Sequence, residues 1–139
     1  MSKSHAHMNN TQISHFFLGV VTDRSAFERF LEEHYAEDDD DEDDERPISA
    51  FYGSQGEWFC DHDFMETGWR ENERTLEEFF QPYSYSEQWS DAVCNAARAR
   101  NLEHANALIF IAKSEIESPQ SVSGDGFELT YVGEFEYRI

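Results

Sequence analysis

The apolar and polar positions divide the chain into a short series of elements. Ser14-His-Phe-Phe-Leu-Gly-Val-Val21 is a nearly continuous apolar run. It reads as a central strand buried on both faces. Ser25-Ala-Phe-Glu28 fits a capping box, with Ser25 as N-cap and Glu28 three positions on. Phe27, Phe30, Leu31, His34 and Tyr35 follow at helical spacing and form one core-facing stripe. The helix should fail by Glu37, because nine consecutive acids, Glu37 to Glu45, repel at every i,i+3 and i,i+4 contact. This run reads as an exposed acidic loop, 37–45. Pro47 then suits the first turn of a short helix through Tyr52, and Gly53 and Gly56 punctuate the chain beyond it. Glu57-Trp-Phe-Cys-Asp-His-Asp-Phe64 is read as a short strand on imperfect alternation.

Thr75-Leu-Glu-Glu78 is a second capping box, with Leu76, Phe79 and Phe80 as its buried face and Pro82 as its stop. A third, Ser84-Tyr-Ser-Glu87, should open a helix that buries Trp89, Val93, Ala96 and Ala97 and closes on Asn101. Asn106-Ala-Leu-Ile-Phe-Ile-Ala112 reads as another core strand. Asp125-Gly126 signals a turn. Beyond it Phe127, Leu129, Tyr131, Phe135, Tyr137 and Ile139 share one phase, which predicts a half-buried strand of period two, with a bulge at Gly133. The last two strands should form an antiparallel hairpin. The expected class is α+β, a single small and mostly antiparallel sheet in the order β-α-β-α-α-β-β, with helices packed on its apolar face. Residues 1–12, polar and His-rich, are read as a flexible arm, and 13–139 as one domain.

Composition sharpens this picture. Aromatic residues make up 15% of the chain, enough for a real core. No apolar run reaches the roughly 18 residues that span a bilayer. Two cysteines, Cys60 and Cys94, read as reduced thiols of a cytoplasmic protein, although pairing stays open. The formal charge is −20. Without the nine-acid run, ten basic and twenty-one acidic residues still leave −11, so the acidity is global. A net charge of about 2–8 already serves solubility in a small domain. Such a surface repels nucleic acid and anionic membranes and steers basic proteins toward it.

The densest polar cluster is Cys60-Asp-His-Asp63 with Glu66 behind it. A metal-dependent hydrolase using Asp61, His62 and Asp63 is one reading. Against it, a strand would put Asp61 and Asp63 on one face and Cys60 and His62 on the other, and no His-x₃-His or Cys-x₂-Cys pair occurs. No phosphate loop, dinucleotide fingerprint or nucleophile elbow is present either, so neither an enzyme nor a cofactor is expected. Trp58 and Trp69 flank the cluster. Aromatics beside carboxylates make anchors for a basic protein partner. Asp61, Asp63, Glu66, Trp58 and Trp69 are therefore the expected partner-binding residues. An acidic DNA mimic is a further reading, and the long terminal strand at a sheet edge offers a place for a homodimer.

One resemblance covers nearly the whole chain from His15 onward. His15-Phe-Phe-Leu-Gly-Val-Val21 followed by Ser25-Ala-Phe-Glu-Arg-Phe-Leu31 resembles the start of the bacterial immunity protein 22 family. Ile48-Ser-Ala-Phe51, Cys60-Asp-His-Asp-Phe-Met-Glu66, Tyr83-Ser-Tyr-Ser-Glu-Gln-Trp89, Ala105-Asn-Ala-Leu-Ile-Phe-Ile111 and Phe127-Glu-Leu-Thr-Tyr-Val-Gly133 extend it in order. The resemblance implies a cytoplasmic inhibitor from a polymorphic toxin system, whose partner is a cognate toxin. Toxins of such systems are often nucleases with basic substrate surfaces, which an acidic body can occupy.

Overall fold

The computed structural model describes residues 11–34, 47–71 and 74–139. The acidic loop expected at 37–45 and most of the expected arm lie outside them. Strand β1 spans Thr11–Val21 and so takes in two residues of that arm. Then come helices α1 (Arg24–Leu31) and α2 (Ala50–Ser54), a 3₁₀ turn at His62–Phe64 and strand β2 (Met65–Trp69). Helices α3 (Leu76–Phe80) and α4 (Ser86–Ala99) lead to β3 (Ala107–Ala112), β4 (Val122–Gly124) and β5 (Phe127–Arg138). The five strands form one antiparallel sheet in the order β2-β3-β1-β5-β4.

The fold is α+β, as the pattern of positions implies, but the sheet carries helices on both faces. On one face α3 and α4 bury Leu76, Phe79, Phe80, Trp89, Val93 and Ala97 against Phe16, Leu18, Leu108 and Phe110. On the other, Phe27 of α1 and Phe51 and Tyr52 of α2 cover Phe17, Val21, Ile109 and Ile111. This explains why β1 and β3 are apolar without alternation: neighbouring residues feed opposite cores. Phe16 sits at the centre of the first core, stacked on Phe110 at 4.7 Å and tilted against Trp89 at 4.8 Å.

The terminal strand corrects the expectation of one shared apolar phase. Between Phe16 and Phe17 of β1 the β5 register slips, so that Gly133 faces Phe16 and Tyr131 faces Phe17. Val132 is the extra residue. Ahead of it Phe127, Leu129 and Tyr131 join the α1–α2 core; after it Phe135 and Tyr137 join the α3–α4 core. The bulge at Gly133, φ +133°, therefore moves the strand's apolar set from one face to the other. The expected hairpin of the last two long strands is also absent, since β1 lies between β3 and β5. The hairpin that forms joins β4 to β5 through Asp125-Gly126.

Tertiary contacts move three boundaries. Helix α1 is capped by Asp23, whose carboxylate accepts the Ala26 N–H at 3.2 Å, and not by Ser25. The reason is docking: the Thr22 and Asp23 N–H groups both donate to the Gly126 carbonyl, which holds the chain out of helix until Arg24. Gly126 fits this contact because a Cβ there would lie 2.6 Å from that of Asp23. Helix α1 stops at Leu31, short of His34, because the His34 N–H pairs with the Ile48 carbonyl at 2.8 Å. Helix α4 begins at Ser86 behind a left-handed Tyr85, not at a Ser84 cap. There the Ser84 carbonyl is taken by the Trp89 indole N–H at 2.9 Å. The Thr75 capping box forms in full, and Asn101 adopts the left-handed conformation after α4.

Candidate functional site

The segment Glu57–Phe64, expected as a strand, is a loop that ends in the 3₁₀ turn. Its backbone is committed elsewhere. The Trp58 carbonyl accepts the Ile48 N–H at 3.0 Å, and the Asp61 N–H donates to the Glu115 carboxylate at 2.8 Å. Asp61 caps the turn by accepting the Asp63 N–H at 3.0 Å. The face assignment that an extended strand would give Cys60 to Asp63 therefore does not apply.

Cys60 is fully buried and anchors the loop to the α1–α2 core. With it anchored, the neighbouring aromatics are left outside. Trp58 is 49% exposed, Phe59 49% and Phe64 57%. These are three of the five large hydrophobic residues exposed among the described residues, and they fall within seven positions. Carboxylates surround them. Burial first, and then the charges of Glu57, Glu115 and Glu33, push the Cys60 thiol up to about 12. The loop base thus sits in a negative field. The Glu33 carboxylate accepts from the Tyr52 hydroxyl and from His62 Nδ1–H, the latter at 3.2 Å. His62 Nε2 lies 3.6 Å from the exposed Asp63. A shallow hollow of about 800 Å³ beside Glu57 is lined also by Ile13, Lys113, Ile116 and Glu117.

The five residues expected at the contact are not gathered in one place. Trp58, Asp61 and Asp63 share the loop. Glu66, on β2, pairs across with Phe110 of β3 and turns to the α3–α4 face, where it accepts the Ser84 N–H at 3.2 Å. Trp69 lies four residues beyond Met65 along β2, about 13 Å away at strand rise. Arg24 covers its ring at 4.9 Å. Sequence reasoning missed Phe59, Phe64, Glu33, Glu57 and Glu115. Phe59 and Phe64 look like core residues when the segment is read as a strand. Glu33 and Glu115 reach the loop only through the fold.

His15 and the cysteines are structural. His15 is buried, donates Nε2–H to the Ile116 carbonyl at 3.0 Å and accepts the Tyr131 hydroxyl at Nδ1 at 3.0 Å. Cys60 and Cys94 are free thiols in opposite cores. Among the described residues, no three of His, Cys, Asp and Glu gather as ligands for a metal ion. No helix among them is long and apolar enough to cross a membrane.

Exposed aromatics on an α+β scaffold are the side-chain type that dominates contacts between proteins. The family described as Immunity protein 22 matches residues 15–138, and the chain belongs to that family. Membership assigns it to toxin immunity in general and implies a cognate toxin as partner. No curated protein and no solved structure matches the chain.

Proposed function

We propose that this protein works in the cytoplasm as a non-catalytic inhibitor, which binds a basic toxin domain, such as a nuclease, through the Glu57–Phe64 loop. The observation that carries the reading is the trio Trp58, Phe59 and Phe64, exposed amid Glu33, Glu57, Asp61, Asp63 and Glu115. Large aromatics supply most of the energy of an interface when they are desolvated at its centre, and surrounding carboxylates select for Arg and Lys. We place Trp58, Asp61 and Asp63 in the contact, with Glu66 and Trp69 at its border along the edge strand β2. His34 is joined to Ile48, and Ile48 to Trp58, by backbone hydrogen bonds. The nine acids, Glu37 to Glu45, add to the negative charge that steers a cationic partner.

The test is co-purification with the toxin encoded beside this gene, followed by titration. Trp58→Ala should lower affinity by roughly 2 kcal/mol or more. Its folding stability should stay within about 0.5 kcal/mol of the parent. Raising ionic strength should slow association more than it speeds dissociation. Undiminished affinity in Trp58→Ala together with Asp61→Asn and Asp63→Asn would remove the loop from the contact.

A further inference from the structure

Strand β5 carries an open edge, and its backbone marks where a partner strand would pair. The short β4 covers only Phe127–Leu129. Just beyond, the Ser121 hydroxyl accepts the Tyr131 N–H at 2.9 Å. At the far end the Gln88 side chain takes both the N–H and the carbonyl of Arg138, each at 2.8 Å. Gln88 thus stands in for a neighbouring strand at one residue. Because Arg138 points its backbone away from β1, alternation makes Glu136 and Glu134 do the same. Among the described residues, neither of these outward N–H and carbonyl pairs meets a partner. The gap between the Ser121 and Gln88 clasps is six residues, about 20 Å at strand rise.

The flanking side chains state what would fit. Glu134 and Glu136 are exposed on one face, with Lys113 3.2 Å from Glu134. On the other face lie half-buried Phe135 and the Tyr85–Tyr137 stack at 5.5 Å, of which Tyr85 is 40% exposed. A second copy of β5 laid antiparallel about Phe135 would oppose Glu134 to Glu136 twice, between chains of −20 each. Like charges directly opposite are destabilising. Lys or Arg at alternate positions of an incoming strand would meet those two glutamates, while apolar residues between them would reach Phe135 and Tyr85.

We propose that the 132–137 edge of β5 accepts an extended, cationic segment of the toxin as an added strand, a second contact besides the Glu57–Phe64 loop. The toxin as occupant rests on the function proposed above; the strand-accepting edge rests on the backbone alone. The test measures amide exchange at Glu134 and Glu136 in two complexes. One is with the toxin encoded beside this gene; the other is with a synthetic peptide of alternating Lys or Arg and Val. Both amides should slow in both complexes. Glu136→Pro removes an N–H that β1 does not use and should weaken toxin binding about tenfold. Glu134→Lys with Glu136→Lys keeps the backbone and should abolish peptide binding; it decides the matter if the proline variant unfolds. Unchanged exchange at both amides in both complexes overturns the proposal. So does protection of those amides by self-association of the free protein. If Trp58→Ala loses the toxin while Glu136→Pro retains it, the edge fails and the loop stands. If the toxin does not bind the parent at all, the function proposed above fails, and the edge is decided by the peptide.

Discussion

The bulge in β5 makes a specific demand on Gly133. Its φ of +133° lies where side-chain-bearing residues rarely go, and a Cβ there would meet the Phe135 ring at 3.4 Å, an ordinary contact. Space is therefore not the obstacle; backbone conformation is. Gly133→Ala should cost about 1–3 kcal/mol in strain. The lost unfolded-state freedom of glycine returns about 0.4–1 kcal/mol. The net is a destabilisation of roughly 1–2 kcal/mol, or about 3–7 °C in Tm for a domain of this size. Urea and thermal unfolding followed by circular dichroism measure both. Deleting Val132 is the complementary change. It removes the extra residue, so Tyr131 and Gly133 become neighbours on opposite faces of a regular ladder, and Phe135 and Tyr137 keep their core. That variant should still fold, at the cost of the buried Val132 side chain, about 1.5–3 kcal/mol. A Gly133→Ala protein as stable as the parent, or a deletion variant that does not fold, would refute the face switch.

The remaining predictions concern the core, charge and thiols. Phe16→Ala removes a fully buried ring packed between Phe110 and Trp89 and should cost about 3–5 kcal/mol by chemical denaturation. Arg98 bonds Glu77 and Glu103, and these hydrogen bonds hold both carboxyls below the usual glutamate range. Their contribution is complete above the unfolded glutamate value of about 4.3 and is lost as pH falls through the lowered native values. The Tm gap between the parent and Arg98→Ala should thus be widest near neutrality and close in acid; a gap that widens in acid would contradict the pairing. Cys60, held near 12, should react with iodoacetamide at pH 8 roughly a thousandfold more slowly than a free cysteine. Fast labelling of the native protein at Cys60 would show that the loop opens readily.

Which parts of this protein are legible along the chain depends on the range of the forces involved. The apolar runs at 14–21 and 106–112, the Thr75 capping box, the Asp125-Gly126 turn and the glycine at the bulge are local signals, and each becomes the element it implies. The global excess of negative charge is likewise a property of composition. What the sequence left undecided was decided by contacts between distant segments. The Gly126 carbonyl sets where α1 begins, and β1, inserted between β3 and β5, denies them their hairpin. Two helical layers, instead of one, give each central strand two cores. The candidate surface divides the same way. Trp58, Asp61 and Asp63 were visible as neighbours in sequence, but Glu33 and Glu115 arrive from 24 or more residues away. Phe59 and Phe64 are exposed because Cys60 is pulled inward. Periodicity tells a residue which side of its own element it occupies; only packing decides whether another layer covers that side.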